Sequence, residues 1–188
     1  MKLLDPKVGP SATYNPIDDR RFYAVRDLIY KYGLLPPVQV FGEKAPFEEL
    51  LEKELGIQFK YTNFDLNYPF PKMDKASVLL CFEVIEHLLN PLLFLLEIRK
   101  IMWPESLLYL SYPIQPYAFW SPCHFHEYDK SRFLYLLREA GLSIVDYQEL
   151  KLWKRITGIR PIIRNTPLGR LKIQLYVLKK GRLRCDME

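Results

Sequence analysis

The stretch FDLNYPFPKMDKASVLLCFEVIEHLLNP, residues 64–91, decides the fold. At its centre Ala76 to Phe82 is a continuous apolar run, the pattern of a strand covered on both faces rather than one with a wet side. Polar groups begin as soon as the run ends, with Glu83, Glu86 and His87. Asn90-Pro91 then opens a helix, because an asparagine side chain can cap the first turn and proline lacks only an amide that would be unsatisfied there anyway. A buried strand that passes through an acidic turn into a helix is half of a parallel crossover unit.

Working outward, the same alternation continues on both sides. Upstream, Pro37 to Phe41 suits a short strand. A helix starting at Pro46 carries Phe47, Leu50, Leu51 and Leu55 on one stripe before Gly56, and Ile57 to Phe64 is rich in strand-forming residues. Further upstream, Asn15-Pro16 followed by Asp18 and Asp19 predicts a helix start, with Phe22, Val25, Ile29 and Tyr32 on its buried face and Gly33 at its end. Downstream, the helix from Pro91 runs through Phe94, Leu95 and Ile98 and stops before Pro104, and Leu107 to Tyr112 reads as a strand. Asp129 caps a helix bearing Phe133 and Leu137, closed by Gly141; Leu142 to Leu150 is extended, and Leu171 to Val177 alternates apolar with polar.

This order predicts an α/β fold, a doubly wound and mostly parallel sheet with helices on both faces, whose ligand crevice lies beyond the carboxyl ends of the strands. At 188 residues there is room for one domain, with a helical segment over 1–33, a sheet core over 34–150 and a basic segment over 151–188 that holds the last strand. No run approaches the roughly 20 apolar residues of a membrane span. Residues 1–10 lack the apolar stretch of a secretory signal, so the expected compartment is the cytoplasm. Cys81, Cys123 and Cys185 are odd in number and far apart, which suits reduced thiols. Charge is uneven: residues 1–150 carry 16 Lys and Arg against 20 Asp and Glu, while residues 151–188 carry 11 against 2. Over 151–184 the bases stand without an acid, a field suited to an anionic partner such as RNA or a membrane surface.

Residues 64–91, followed by LLYLSYP and HFHEYDKSRFLYLLREAGLSIV, resemble in unbroken order the class I S-adenosylmethionine-dependent methyltransferases over residues 64–146. The resemblance implies a Rossmann-like sheet with a final antiparallel edge strand, S-adenosylmethionine as cofactor and methyl transfer to an oxygen or nitrogen. It places the cofactor against Phe41, Gly42, Asp65, Leu66, Phe82 and Glu83. Asp65 fits either the ribose acid after a strand beside the first or the later turn on the adenine side; its carboxylate could accept two hydroxyl hydrogen bonds. The aromatic loop Tyr112 to Tyr128 would cover the substrate.

Glu83, Glu86 and His87 have the spacing that gathers side chains on one face of a helical turn, and His124 opens the HFHEY segment. Two branches of the family use a similar Glu-x-x-Glu-His set to hold a divalent metal, one of them with a further histidine like His124. Other members carry the same phrase without metal. His87 and His124 are therefore the candidate acid/base or substrate-positioning groups, and Glu83, Glu86, His87 and His124 the candidate metal set.

The chain departs from the family in two places. Where the family has an acid and three alternating glycines after the first strand, this chain reads Val40-Phe41-Gly42-Glu43-Lys44-Ala45-Pro46. Residues 43–75 also leave space for one helix and one strand where the family has two of each, so one strand–helix unit is predicted to be missing. The altered glycine turn motivates an alternative reading, a non-catalytic binding module that uses the basic segment.

Overall fold

A computed structural model describes residues 20–42, 44–114, 124–153 and 170–182. The central apolar run forms β3 (Ala76–Phe82), and its neighbours show why it has no polar side. The sheet runs in the order β2 (Lys60–Tyr61), β1 (Val38–Val40), β3, β4 (Met102–Ile114), β6 (Arg170–Lys180), β5 (Leu142–Trp153). The first four strands are parallel. Along β3, Leu79 and Cys81 face a core shared with α3 (Pro91–Ile101) and α4 (Lys130–Glu139), through Phe94, Ile98 and Phe133. Val78 and Leu80 face the opposite core, shared with α1 (Arg20–Tyr32) and α2 (Pro46–Leu55), through Phe22, Val25, Leu28 and Leu51. Period-two alternation on a strand buried on both sides yields an unbroken apolar sequence.

Helix boundaries follow local chemistry. The Asn90 side chain accepts the Leu93 amide at 3.0 Å and Asp129 accepts that of Arg132 at 2.9 Å, each satisfying an otherwise orphaned donor in a first turn. Gly33 closes α1 in a left-handed conformation, its amide bonded to the Ile29 carbonyl. The predicted helix start at Asn15-Pro16 lies outside the described residues, as do Cys123 and Cys185. Cys81 is fully buried. Among the described residues no helix is long and apolar enough to cross a membrane.

The sheet lacks one strand–helix unit, as the short spacing implies: only α2 and β2 separate β1 from β3. In place of the absent helix, the connection over 62–75 lays Phe64, Leu66, Phe70 and Met73 against the α3-side core. The strand expected over Ile57 to Phe64 shrinks to Lys60–Tyr61, because the Phe59 amide is drawn to the Glu52 carboxylate at 2.7 Å rather than to a neighbouring strand. The last strand is antiparallel, as the resemblance implies, but it does not form the margin. β6 inserts between β4 and β5, pairing Tyr176 with both Leu110 and Tyr147, and β5 lies outermost.

Helix α1 is pinned to this outer strand. The Lys31 ammonium (2.8 Å) and the Tyr32 hydroxyl (2.9 Å) both donate to Asp146, which sits at a register shift between Ile144 and Asp146. Those two bonds, Lys31's first, hold the Asp146 carboxyl below its ordinary range. A depressed native value adds stability above the unfolded carboxylate range and loses it as pH falls through the native value. Asp146→Asn should lower Tm by roughly 2–4 °C at neutral pH. The difference from wild type should vanish in acid when both melts are followed by circular dichroism.

Candidate functional site

The carboxyl ends of four parallel strands bring Gly42, Thr62, Phe82-Glu83 and Ser111 to one rim. Gly42 has φ +125°, and a Cβ there would lie 3.3 Å from Val84 Cγ2, so the turn needs glycine twice over. Its amide donates to Thr62 Oγ1 at 3.2 Å. Glu83 holds φ +54°, left-handed backbone for a residue with a full side chain, a strain on the order of 1 kcal/mol that persists only where surroundings enforce it. The enforcement is visible. The Glu83 amide donates to the Ser111 carbonyl at 3.1 Å, and the Ser111 hydroxyl donates to Glu83 Oε1 at 2.8 Å.

Beside this stitch, on the α1/α2 side, lies a cavity of about 220 Å³ bordered by Arg21, Phe47, Glu48, Phe82, Glu83 and Ser111. Phe82 packs edge-on against Phe47 with ring centres 5.3 Å apart, forming an aromatic wall. Ala45, at the N-cap of α2, has no capping side chain; instead the Glu48 carboxylate accepts the amides of Ala45 and of Glu48 itself. Glu48 is only 7% exposed, and its Oε2 has no hydrogen-bond partner. Burial pushes its carboxyl up, against the pull of the two amides and of Arg21.

A second cluster forms on the other side of Glu83, where a single 3-10 turn, Ile85–His87, presents Glu86 and His87 to the segment after β4. Candidate ligand atoms of Glu86, His87 and His124 all lie within 4.8 Å of one another, and the two imidazoles meet edge to face at 4.8 Å. His124 Nδ1 is 3.0 Å from Glu127 Oε1, which leaves Nε2 as its other polar atom. Glu86 is 1% exposed with neither carboxylate oxygen hydrogen-bonded. Burial, with the charges of Glu83 and Glu127, pushes its carboxyl well above the usual range.

The structure sorts the sequence-derived site residues. Gly42, Phe82 and Glu83 stand at the rim, and Glu86, His87 and His124 come together. Glu83, expected among the metal ligands, instead accepts the Ser111 hydroxyl beside the cavity. Phe41 and Leu66, expected at the cofactor, turn their side chains into the core. Phe41 stacks on Phe70 (5.4 Å) and meets Phe94 edge-on (5.5 Å), because the missing helix leaves that face to be filled by aromatics. Asp65 lies past β2, exposed, and its Oδ1 accepts both the Asn67 amide and the Asn67 side chain at 2.9 Å. Asn67 Oδ1 in turn accepts the Leu89 amide at 2.7 Å. Asp65 therefore belongs to a turn tied to the segment after β3, while Thr62 holds the place beside β1. Lys44, from the altered glycine turn, is drawn along α2 to Glu52 at 3.0 Å. Residues 115–123, most of the aromatic loop, lie outside the described residues.

Sequence reasoning did not single out Arg21 or Glu48, and it gave Ser111 and Glu127 no role in the site. Glu48 carried a readable signal, an acid at the third helical position behind a residue that cannot cap. Glu127 stands three residues after His124, but only the fold shows that the two meet.

Gly42→Ala should cost about 1–3 kcal/mol in chemical denaturation. Adding Val84→Ala should restore only part of that loss, since the backbone strain remains once the contact is gone.

No protein-family model matches the sequence, and no curated protein matches it. Solved structures do. A SAM-dependent methyltransferase from Archaeoglobus fulgidus is 15% identical over 85% of this chain and 93% of its own, with a TM-score of 0.61. The N-methyltransferase NodS from Bradyrhizobium japonicum WM9, solved with S-adenosyl-L-homocysteine, is 11% identical over 88% and 89%, with a TM-score of 0.57. The [4+2]-cyclase SpnF is 12% identical over 84% and 81%, also at 0.57. The protein has the Rossmann-like α/β fold of the class I S-adenosylmethionine-dependent methyltransferases, shortened by one strand–helix unit.

Proposed function

We propose that the protein is an S-adenosylmethionine-dependent methyltransferase acting on an oxygen or nitrogen of a small-molecule acceptor. The observation that carries this reading is the strained, doubly bonded Glu83 at the carboxyl end of β3. It stands between a cavity bordered by carboxylates and a histidine cluster, at the crevice where such folds take their ligands.

The residues present suit the cofactor. A sulfonium cation is complemented by Glu83 and Glu48, and the Phe47–Phe82 wall gives an apolar surface beside them. When bound, S-adenosylmethionine supplies an electrophilic methyl group on a positively charged sulfur. This chain's contribution is orientation: Ser111 fixes the Glu83 carboxylate, and the Glu83 backbone locks the rim to β4. His124, oriented through Nδ1 by Glu127, would take the acceptor's proton at Nε2, with His87 alongside.

The same cluster suits a divalent metal through the unpartnered Glu86 carboxylate, His87 and His124, with Glu127 as the outer support of His124. Their candidate ligand atoms lie within 4.8 Å of one another, so the three would have to draw closer to share an ion. A metal there would hold an acceptor hydroxyl and lower its pKa. Three cysteines, odd in number and far apart in sequence, support a cytoplasmic setting. An anionic partner for residues 151–184 rests on their charge alone, and two of those bases are engaged within the fold: Lys172 with Glu149 and Lys180 with the Met102 carbonyl.

Calorimetry with S-adenosyl-L-homocysteine should give a micromolar dissociation constant for wild type, weakened at least tenfold in Glu83→Ala. No heat at millimolar ligand would overturn the reading and leave the binding-module alternative. For the metal, Mn²⁺ or Zn²⁺ should raise Tm in wild type and leave His124→Ala unmoved; an equal shift in both would place the ion elsewhere.

A further inference from the structure

Glu48 is already used once, and only half of it. A carboxylate at the third helical position behind a non-capping residue closes the first turn of α2 with one oxygen. The other oxygen is buried beside the cavity and hydrogen-bonded to nothing, an arrangement that costs free energy unless something arrives to satisfy it. Arg21 borders the same cavity from α1, its guanidinium 5.5 Å from the centre of the Phe47 ring. One cavity thus holds a buried negative group on one helix and a positive group on another, with an apolar wall of Phe47 and Phe82 beside them. At the end of the first strand, Val40 and Phe41 are both buried apolar side chains.

We infer that this cavity seats an α-amino-acid end group, with the Glu48 carboxylate receiving its ammonium and the Arg21 guanidinium its carboxylate. The inference rests on the function proposed above, in which that end group is the aminoacyl arm of S-adenosylmethionine. The volume agrees: about 220 Å³ is below the roughly 300 Å³ at which pockets enclose a whole drug-sized ligand, so it takes one end of a longer molecule. The thioether and nucleoside then extend past Glu83 toward the rim at Gly42. Helix α2 supplies a negative charge from its first turn, and α1 becomes part of the ligand site.

The test uses Glu48→Gln, which keeps an oxygen for capping the helix and removes the charge. Calorimetry with S-adenosyl-L-homocysteine should show at least tenfold weaker binding than wild type, while 5′-methylthioadenosine, which has no aminoacyl arm, should bind both proteins equally. On wild type, the desamino and decarboxy analogues of S-adenosylhomocysteine should each bind at least tenfold more weakly than the parent. Undiminished binding of S-adenosylhomocysteine to Glu48→Gln, or equal loss of both nucleosides, overturns the assignment and leaves the proposed function standing. Should Glu48→Gln fail to fold, the analogue series decides alone, and equal affinity of all three ligands for wild type overturns the assignment. Binding of neither nucleoside to wild type overturns the proposed function and this assignment together.

Discussion

A strand as apolar as β3 is stable only when both of its faces are covered, and much of the molecule follows from how this chain meets that demand with one helix fewer. On the α1/α2 side the cover is ordinary, with Phe22, Val25, Leu28 and Leu51 over Val78 and Leu80. On the other side α3 and α4 reach Leu79 and Cys81, and the connection over 62–75 fills what is left with Phe64, Leu66, Phe70 and Met73. Phe41 is drafted into the same aromatic packing. A position expected to face a ligand becomes part of the core, while Glu83 and the first turns of α1 and α2 border the cavity.

That displacement gives the crevice two unlike halves with Glu83 between them. Toward α2 are fixed charges and aromatic walls, suited to holding. Toward α4 are two imidazoles and a buried carboxyl, suited to moving a proton or binding an ion. Glu86 lies near Cys81 and Tyr128, each of which feels its charge, so the half that bears the histidines borders directly on the interior of the sheet. The Ser111 hydroxyl is the small group that keeps the halves in register.

Most of the architecture could be read from local chemistry: the unbroken apolar run of β3, the proline starts of α2 and α3, the caps at Asn90 and Asp129, and the spacing too short for a second unit. The sequence reading erred where tertiary competition decided. Ile57 to Phe64 has strand-forming residues, yet Glu52 captures the Phe59 amide and leaves only two residues of ladder. The last strand alternates like an edge strand but sits inside the margin, because its neighbour β5 is long enough to pair with it from Leu142 to Trp153. In the candidate site, the Glu-x-x-Glu-His phrase puts Glu86 and His87 on one turn, while its first acid accepts the Ser111 hydroxyl, a pairing the spacing does not reveal. Asp65 reads in the sequence as a ligand-binding acid; in the structure its Oδ1 accepts from Asn67 within an exposed turn, a local pairing that composition does not reveal. Arg21 and Glu48 are far from the motif in sequence and needed the packing of two helices to become neighbours.

The absent helix also makes the rim mechanically lopsided. Glu83 is anchored in the middle of the sheet, where β3, β4 and β6 run side by side in long register. Gly42 is braced on its outer side by a two-residue strand and by a helix-free covering segment held largely through side chains. Thermal opening should start on that outer flank and spare the centre. A bulky guest at the rim would be accommodated by yielding of the Gly42 wall alone, like a vice with one fixed jaw and one sprung.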